Sequence, residues 1–151
     1  MYSSHIDKIE CCTQEHLHAL VAMMQQLPEF DGRHDSEALI SRLQHQSHLA
    51  LLSFVEGEPA GFKLGYALDD STFYSWLGGV LPDFRQLGLA KSMLLEQETW
   101  AKAKGYRTIE VKTLNRFAPM LGMLVRCGYQ VVELQPNDDA ALNKITLRKS
   151  L

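Results

Sequence analysis

Residues 72–114 constrain this chain more than any other stretch, because they read as strand, sharp turn, helix and strand in close succession. "TFYSWLGGVL" (72–81) is apolar and aromatic, and Pro82 closes it. "RQLGLA" (85–90) then leads into a helix from about Leu87 to Lys104, with Ala90, Met93, Leu94, Gln97 and Ala101 at helical spacing and Gly105 as its C-cap. "YRTIEVKTL" (106–114) alternates Ile109, Val111 and Thr113 against Thr108, Glu110 and Lys112. Two strands joined through a helix lie parallel, so the rest of the chain must be built around a parallel pair.

Ahead of that unit, residues 5–11 are expected to form a first strand. Thr13 is a plausible N-cap for a helix reaching Leu27, with Leu17, Leu20, Val21 and Met24 on one face, and Pro28 stops it. "EFDGRHD" reads as a polar loop, and Ser36 as the cap of a short helix through Gln46. "HLALLSFV" (48–55) and "AGFKLGYAL" (60–68) form a hairpin across the turn "EGEP", the second strand placing Phe62, Leu64, Tyr66 and Leu68 on one face. Asp69 and Asp70 turn the chain into residues 72–81. After a fourth helix ending before Gly128, "YQVVEL" and "NKITLRK" pair as a C-terminal hairpin. The order βααβββαβαββ is an α/β fold around a mixed sheet, and 151 residues at 46% apolar content suit one domain, 1–151, with a real core.

A formal charge of -3 and the absence of any Lys/Arg run argue against a protein that grips nucleic acid through its phosphates. No window approaches the ~20 apolar residues of a membrane span, and the N-terminus has no leader pattern, so a soluble cytoplasmic protein is expected. Cys11, Cys12 and Cys127 form no C-x-x-C pair and read as reduced structural residues. His16 and His18, and His45 and His48, lack metal-site spacing and read as solvated helix faces, so no metal is expected.

Gly78 and Gly79 weaken the end of their strand, and Pro82 breaks the ladder, leaving nearby backbone groups in need of other partners. The helix that follows offers unpaired N–H groups and the positive end of its dipole, which suit an anion. With Gly88 and Ala90 carrying little bulk, and Arg85 and Lys91 adding charge, a diphosphate can lie on this turn while the broken strand meets amide groups. Coenzyme A carries both. The alternative is a helix N-terminus with small residues for packing.

These residues resemble the GNAT superfamily of acyl-CoA-dependent N-acyltransferases. Its motif Arg/Gln-x-x-Gly-x-Gly/Ala reads "RQLGLA" here, preceded by the apolar-x-Pro pattern at Val80, Leu81 and Pro82. "EGEPAGFKLGYAL", "KTLNRFAPML" and "RCGYQVV" also resemble family segments, in the family's order. The resemblance implies a largely antiparallel seven-stranded mixed sheet flanked by about four helices, with splayed parallel fourth and fifth strands. It implies that Gly79, Val80 and Leu81 lie beside the thioester and pantetheine, that Arg85, Gln86, Leu87, Gly88, Leu89, Ala90 and Lys91 hold the pyrophosphate, and that the Asn115 amide reaches the cofactor. The alternative reading of Asn115 is a helix-entry cap.

The expected activity is transfer of an acetyl group from acetyl-CoA to a primary amine by direct attack, with oxyanion stabilisation from backbone N–H near Val80. The acceptor is a small molecule or a protein amine, and a homodimer is allowed. A non-catalytic acyl-CoA-binding module of the same fold is the alternative. Many family members carry a tyrosine four residues before the Gly-aromatic pair to protonate the departing thiolate, and here that position is Leu124. A thiolate with a free pKa near ~8.5 is a tolerable leaving group, so water or another hydroxyl can serve. The fourth strand has no carboxylate to act as base. Tyr74 and Ser75 are its hydroxyl candidates, Tyr74 reading also as a core residue. Glu29, Asp31 and His34 lie in the loop that usually borders the acceptor site, where they either attract a cationic amine or are simply solvated.

Overall fold

In a computed structural model the chain is described at residues 2–30, 32 and 34–151. The strands are β1 (Ser4–Ile9), β2 (His48–Val55), β3 (Glu58–Ala67), β4 (Thr72–Val80), β5 (Thr108–Leu114), β6 (Gln130–Gln135) and β7 (Lys144–Ser150). The helices among the described residues are α1 (Gln14–Met24), α2 (Ser36–Leu43), α3 (Leu89–Ala103) and α4 (Ala118–Arg126). Short 3-10 turns follow α1 at Pro28–Phe30 and β4 at Pro82–Phe84, and a third, Ala140–Leu142, precedes β7.

All seven strands join one sheet in the order β1-β2-β3-β4-β5-β7-β6. Only β4 and β5 run parallel; every other neighbouring pair is antiparallel. The GNAT-type expectation of a mixed, largely antiparallel sheet with about four helices is met. The C-terminal hairpin forms, but β7 slots between β5 and β6, which leaves β6 at the edge.

Both faces of the sheet are covered. On one, α1 and α2 bury Leu17, Leu20, Met24 and Leu39 against Phe62, Leu64 and Tyr66 of β3. On the other, Met93, Leu94 and Ala101 of α3 and Leu124 of α4 pack with Leu49, Leu51, Phe73, Ile109 and Leu147. Covering both faces explains why β2 reads as a largely apolar run, interrupted only by Ser53 after His48.

Thr13 caps α1 as expected, accepting from His16 N while the His16 ring accepts from Thr13 N, a reciprocal capping box. Asp69 turns the chain by accepting from the N–H groups of Ser71 and Thr72, which holds its carboxyl below the usual range. Other boundaries move. β1 ends at Ile9 rather than residue 11, and α2 is capped by Asp35, whose carboxylate accepts from Ala38 N, with Ser36 as its first helical residue. α2 ends at Leu43, and α3 begins at Leu89 instead of Leu87 because Gln86 and Gly88 are left-handed (φ 65° and 80°). His48 is not on a helix face: it lies in β2, where its Nε2 accepts from Cys12 N and its Nδ1 therefore donates to Gln46 O.

Candidate active site

The parallel ladder between β4 and β5 is short. It runs from Thr72 opposite Thr108 to Ser75 opposite Val111, and no pairing continues beyond that. β5 stays paired to β7 as far as Leu114, and β4 stays paired to β3 as far as Val80, so the two strands separate into a wedge-shaped gap. On the β4 side the gap is walled by backbone whose groups facing β5 have no strand partner.

A bulge sits where the strands part. Leu64 pairs with Leu77 and Gly65 with Ser75, which leaves Trp76 as an extra residue. As a result Tyr74, Trp76 and Leu77 all pack against the cluster beneath α1 and α2. Beyond the bulge, Gly79 leaves room for Leu27: a Cβ there would lie 2.5 Å from Leu27 Cδ1, which would have to shift. Leu81 N still reaches Ala60 O (2.8 Å), and Pro82 then ends the strand.

The turn after Pro82 is a cradle of donors. The backbone N–H groups of Gln86, Leu87, Gly88, Leu89, Ala90 and Lys91 find no acceptor among the described residues. No side chain caps α3, and a Cβ on Gly88 would meet nothing within 4 Å. Consecutive left-handed and helical residues turn successive N–H groups to one side, and the helix dipole adds positive potential there. Arg85 folds back, its Nε donating to Val80 O (3.3 Å), so its charge sits between the end of β4 and the turn. Lys91 is exposed. The residues present therefore fit a bound diphosphate.

On the α1–α2 side of the fork stands a group of aromatic rings. Tyr66 packs edge-on against both Tyr74 and Trp76, each with ring centroids 5.5 Å apart, and His34 packs edge-on against Trp76 (5.6 Å). The Arg42 guanidinium lies 5.1 Å over the Trp76 ring and donates to the Tyr66 hydroxyl (2.8 Å). Burial, reinforced by Tyr66 and Glu110 and opposed by Arg42, pushes the Tyr74 hydroxyl up to about 12. It stays protonated near neutrality and cannot act as a base there. Glu110 is buried beside it on β5 and is held by Arg148 (2.8 Å).

Of the residues singled out in the sequence, Gly79 and Val80 end β4, Leu81 and Leu89 are buried, and Arg85, Gln86, Gly88 and Lys91 are exposed on the turn and at the start of α3. Glu29 is half-buried in the 3-10 turn after α1, and Asp31 lies outside the described residues. Asn115 does not cap α4, which has Phe117 in that position and Pro119 in its first turn. Its Nδ2 donates instead to Ala140 O (3.2 Å), strapping the end of β5 to the loop before β7. Leu124 is 1% exposed and packs in the core. Arg42, Tyr66 and Trp76 were not legible as site residues, because what unites them is long-range contact and a bulge. A recess of about 730 Å³ between α1 and Pro82–Phe84 shares Leu81 with the site but includes none of Tyr74, Trp76 or residues 85–91. Among the described residues no group of three or more His, Cys, Asp or Glu could hold a metal ion, and no helix is long and apolar enough to cross a membrane.

Known proteins share this architecture. The thialysine N-epsilon-acetyltransferase of Caenorhabditis elegans is 26% identical over 121 residues, 72% of this chain and 73% of that protein. The ribosomal-protein-S18-alanine N-acetyltransferase from Escherichia coli superposes with a TM-score of 0.82 at 16% identity, covering 98% of this chain and 94% of that one. A GNAT family acetyltransferase from Elizabethkingia anophelis, solved with acetyl-CoA bound, superposes at 0.68 and 16% identity over 99% and 98% of the two chains. The family model for the Acetyltransferase (GNAT) family matches residues 12–129, taking in the fork, the turn and α4. With that match added to the opened strand pair and its cradle of donors, the chain belongs to the GNAT family and is an N-acetyltransferase whose co-substrate is acetyl-CoA.

Proposed function

We propose that the acceptor is a small primary amine that also carries a carboxylate, bound on the α1–α2 side of the fork. The observation that carries this reading is Arg42, whose guanidinium is stacked on Trp76 and tied to Tyr66 by one bond, so most of its five N–H donors are left for a ligand. Glu29 and Asp31 supply the negative charge that draws the cationic amine. Tyr74, protonated at working pH, orients the amine nitrogen rather than deprotonating it, and the proton leaves through water. The curated relative named for thialysine, an amino acid with a side-chain amine and a carboxylate, fits this class.

In the same reading the pyrophosphate of acetyl-CoA rests on Arg85, Gln86, Leu87, Gly88, Leu89, Ala90 and Lys91. The pantetheine and thioester lie along Gly79, Val80 and Leu81, where a backbone N–H stabilises the oxyanion. Asn115 borders the cofactor through its free amide oxygen, its N–H being used on Ala140. The chain works as one domain, 1–151. The free thiols Cys11, Cys12 and Cys127 favour a cytoplasmic setting, and the edge strand β6, with Val131 and Leu134 about half exposed, is where a second copy would pair in a homodimer.

A thiol-release assay with an amine panel tests the acceptor. Amino acids with a free side-chain amine are expected to turn over with a lower KM than the same amines lacking the carboxylate. Arg42→Gln should raise KM about tenfold for the former only, as expected when a charged hydrogen bond worth ~1.5 kcal/mol is lost. Preference for a peptide N-terminus, or an indifferent Arg42→Gln, contradicts this acceptor class. Acetyl-CoA binding with no turnover of any amine would favour a non-catalytic module.

A further inference from the structure

Lys63 is an interior residue. It lies in β3 opposite Gly78 of β4, on the face covered by α3, and is 8% exposed. Its side chain runs along the strand pair: Lys63 Cγ and Nζ lie 3.6 and 3.7 Å from where a Cβ on Gly78 would sit. The missing side chain at Gly78 is what makes room for it. Gly78 belongs to the stretch of β4 past Ser75 that has left β5, so the ammonium stands at the wall of the open gap.

No hydrogen-bond acceptor or ion-pair partner for this ammonium occurs among the described residues. The neighbouring Gln97 of α3 is fully buried, its Nε2 3.0 Å from where a Cβ on Gly65 would sit, and neither of its amide atoms has a partner. Gln97 is thus a buried polar side chain left unpaired at this helix–sheet interface, while the ammonium of Lys63, on a residue 8% exposed, is not sealed from solvent. Burial lowers the Lys63 amine to about 8. Glu98, also on α3, acts in the opposite direction, but its carboxylate is engaged by Tyr129 and Lys149.

Given the acetyl-CoA site described above, on which this inference rests, we propose that the Lys63 ammonium meets the departing sulfur of coenzyme A, filling the role left vacant by a leucine at position 124. The amine nitrogen attacks the thioester carbonyl and forms the C–N bond. The C–S bond breaks with its electron pair on sulfur, and the Lys63 ammonium gives that sulfur a proton. The proton shed by the new amide nitrogen passes to water, and water returns one to Lys63. The products are the acetamide and the free thiol, and the ammonium is regenerated.

The test compares binding of coenzyme A and desulfo-coenzyme A, which lacks the thiol, to the full-length wild type and to Lys63→Met at pH 7.5 by calorimetry. Wild type is expected to prefer coenzyme A by about tenfold, as an opposite charge beside a thiol favours its anion. Lys63→Met should lose that preference while binding desulfo-coenzyme A unchanged, and kcat should fall about 10- to 100-fold as a proton donor is removed. Lys63→Arg should recover the preference for coenzyme A but less of kcat. Equal weakening of both ligands would put the ammonium on the pyrophosphate, and unchanged binding of both would make Lys63 a packing residue; either overturns the proposal. If wild type binds neither ligand, the cofactor reading of residues 85–91 fails and takes this inference with it.

Discussion

Ser75 stands opposite Val111 in the last residue pair of the β4–β5 ladder, and the two strands part beyond it. Trp76, the next residue, is the bulge that turns an aromatic ring toward Arg42. Beyond it, Gly78 makes room for Lys63 and Gly79 makes room for Leu27, so the two faces of the separating strand carry different chemistry.

Gly88 is expected to be needed for both its backbone and its openness. Any side chain at φ 80° costs roughly 1–2 kcal/mol of stability. Gly88→Ala should show that loss by denaturant unfolding with only a small loss in coenzyme A affinity, since its Cβ meets no protein atom. Gly88→Glu should bring the same strain and lower coenzyme A affinity about 100-fold or more, because a like charge then faces the diphosphate. Equal affinities for the two variants would place the anion elsewhere.

Leu124 should act through stability alone. Leu124→Ala is expected to cost about 2–5 kcal/mol, and coenzyme A affinity should be unchanged once the protein is folded. Leu124→Tyr puts extra atoms into a filled core and should cost about 1–3 kcal/mol without raising kcat. A faster, stably folded Leu124→Tyr enzyme would show that this side chain reaches the sulfur.

Much of this fold was legible because its signals are local. Thr13 marks a helix start through its hydroxyl and Gly105 a helix end through its left-handed backbone, and a helix between two strands forces the parallel pair. The expectation that residues 85–91 hold an anion rests on the same kind of signal, small residues and a cation at the start of a helix. The start of α3 was misjudged because nothing in the sequence distinguishes Gln86 as a left-handed residue. The site's other half was hidden for a different reason. Arg42 and Tyr66 meet across 24 positions, and Lys63 alternates away from Phe62 and Leu64 as an outward residue would. It is buried only because α3 covers that face too.

Lys63 should leave a signature in stability against pH. Its amine titrates at about 8 in the folded chain against 10.5 in the unfolded one, so between those values the unfolded chain binds more protons and stability rises with pH. Below pH 8 the folded protein bears the full cost of the buried charge, of order 3 kcal/mol. Lys63→Met is therefore expected to be more stable than wild type at pH 7, with the gap closing as pH rises toward 10.5. Denaturant unfolding of both proteins at pH 7 and pH 10 checks this, and a gap that is absent or independent of pH contradicts it.

The central claim is that acetyl-CoA lies on the turn between β4 and α3 and in the gap beside it. Titrating the 15N-labelled protein with coenzyme A and following backbone amide resonances tests it most directly. The account predicts that the largest shifts fall on Gln86, Leu87, Gly88, Leu89, Ala90 and Lys91, whose N–H groups gain phosphate acceptors, with a second group at Gly78, Gly79 and Val80. Saturation of the protein with those amides unmoved and the largest shifts around Ala19, Ala22 and Phe54, at the recess beside α1, would contradict it.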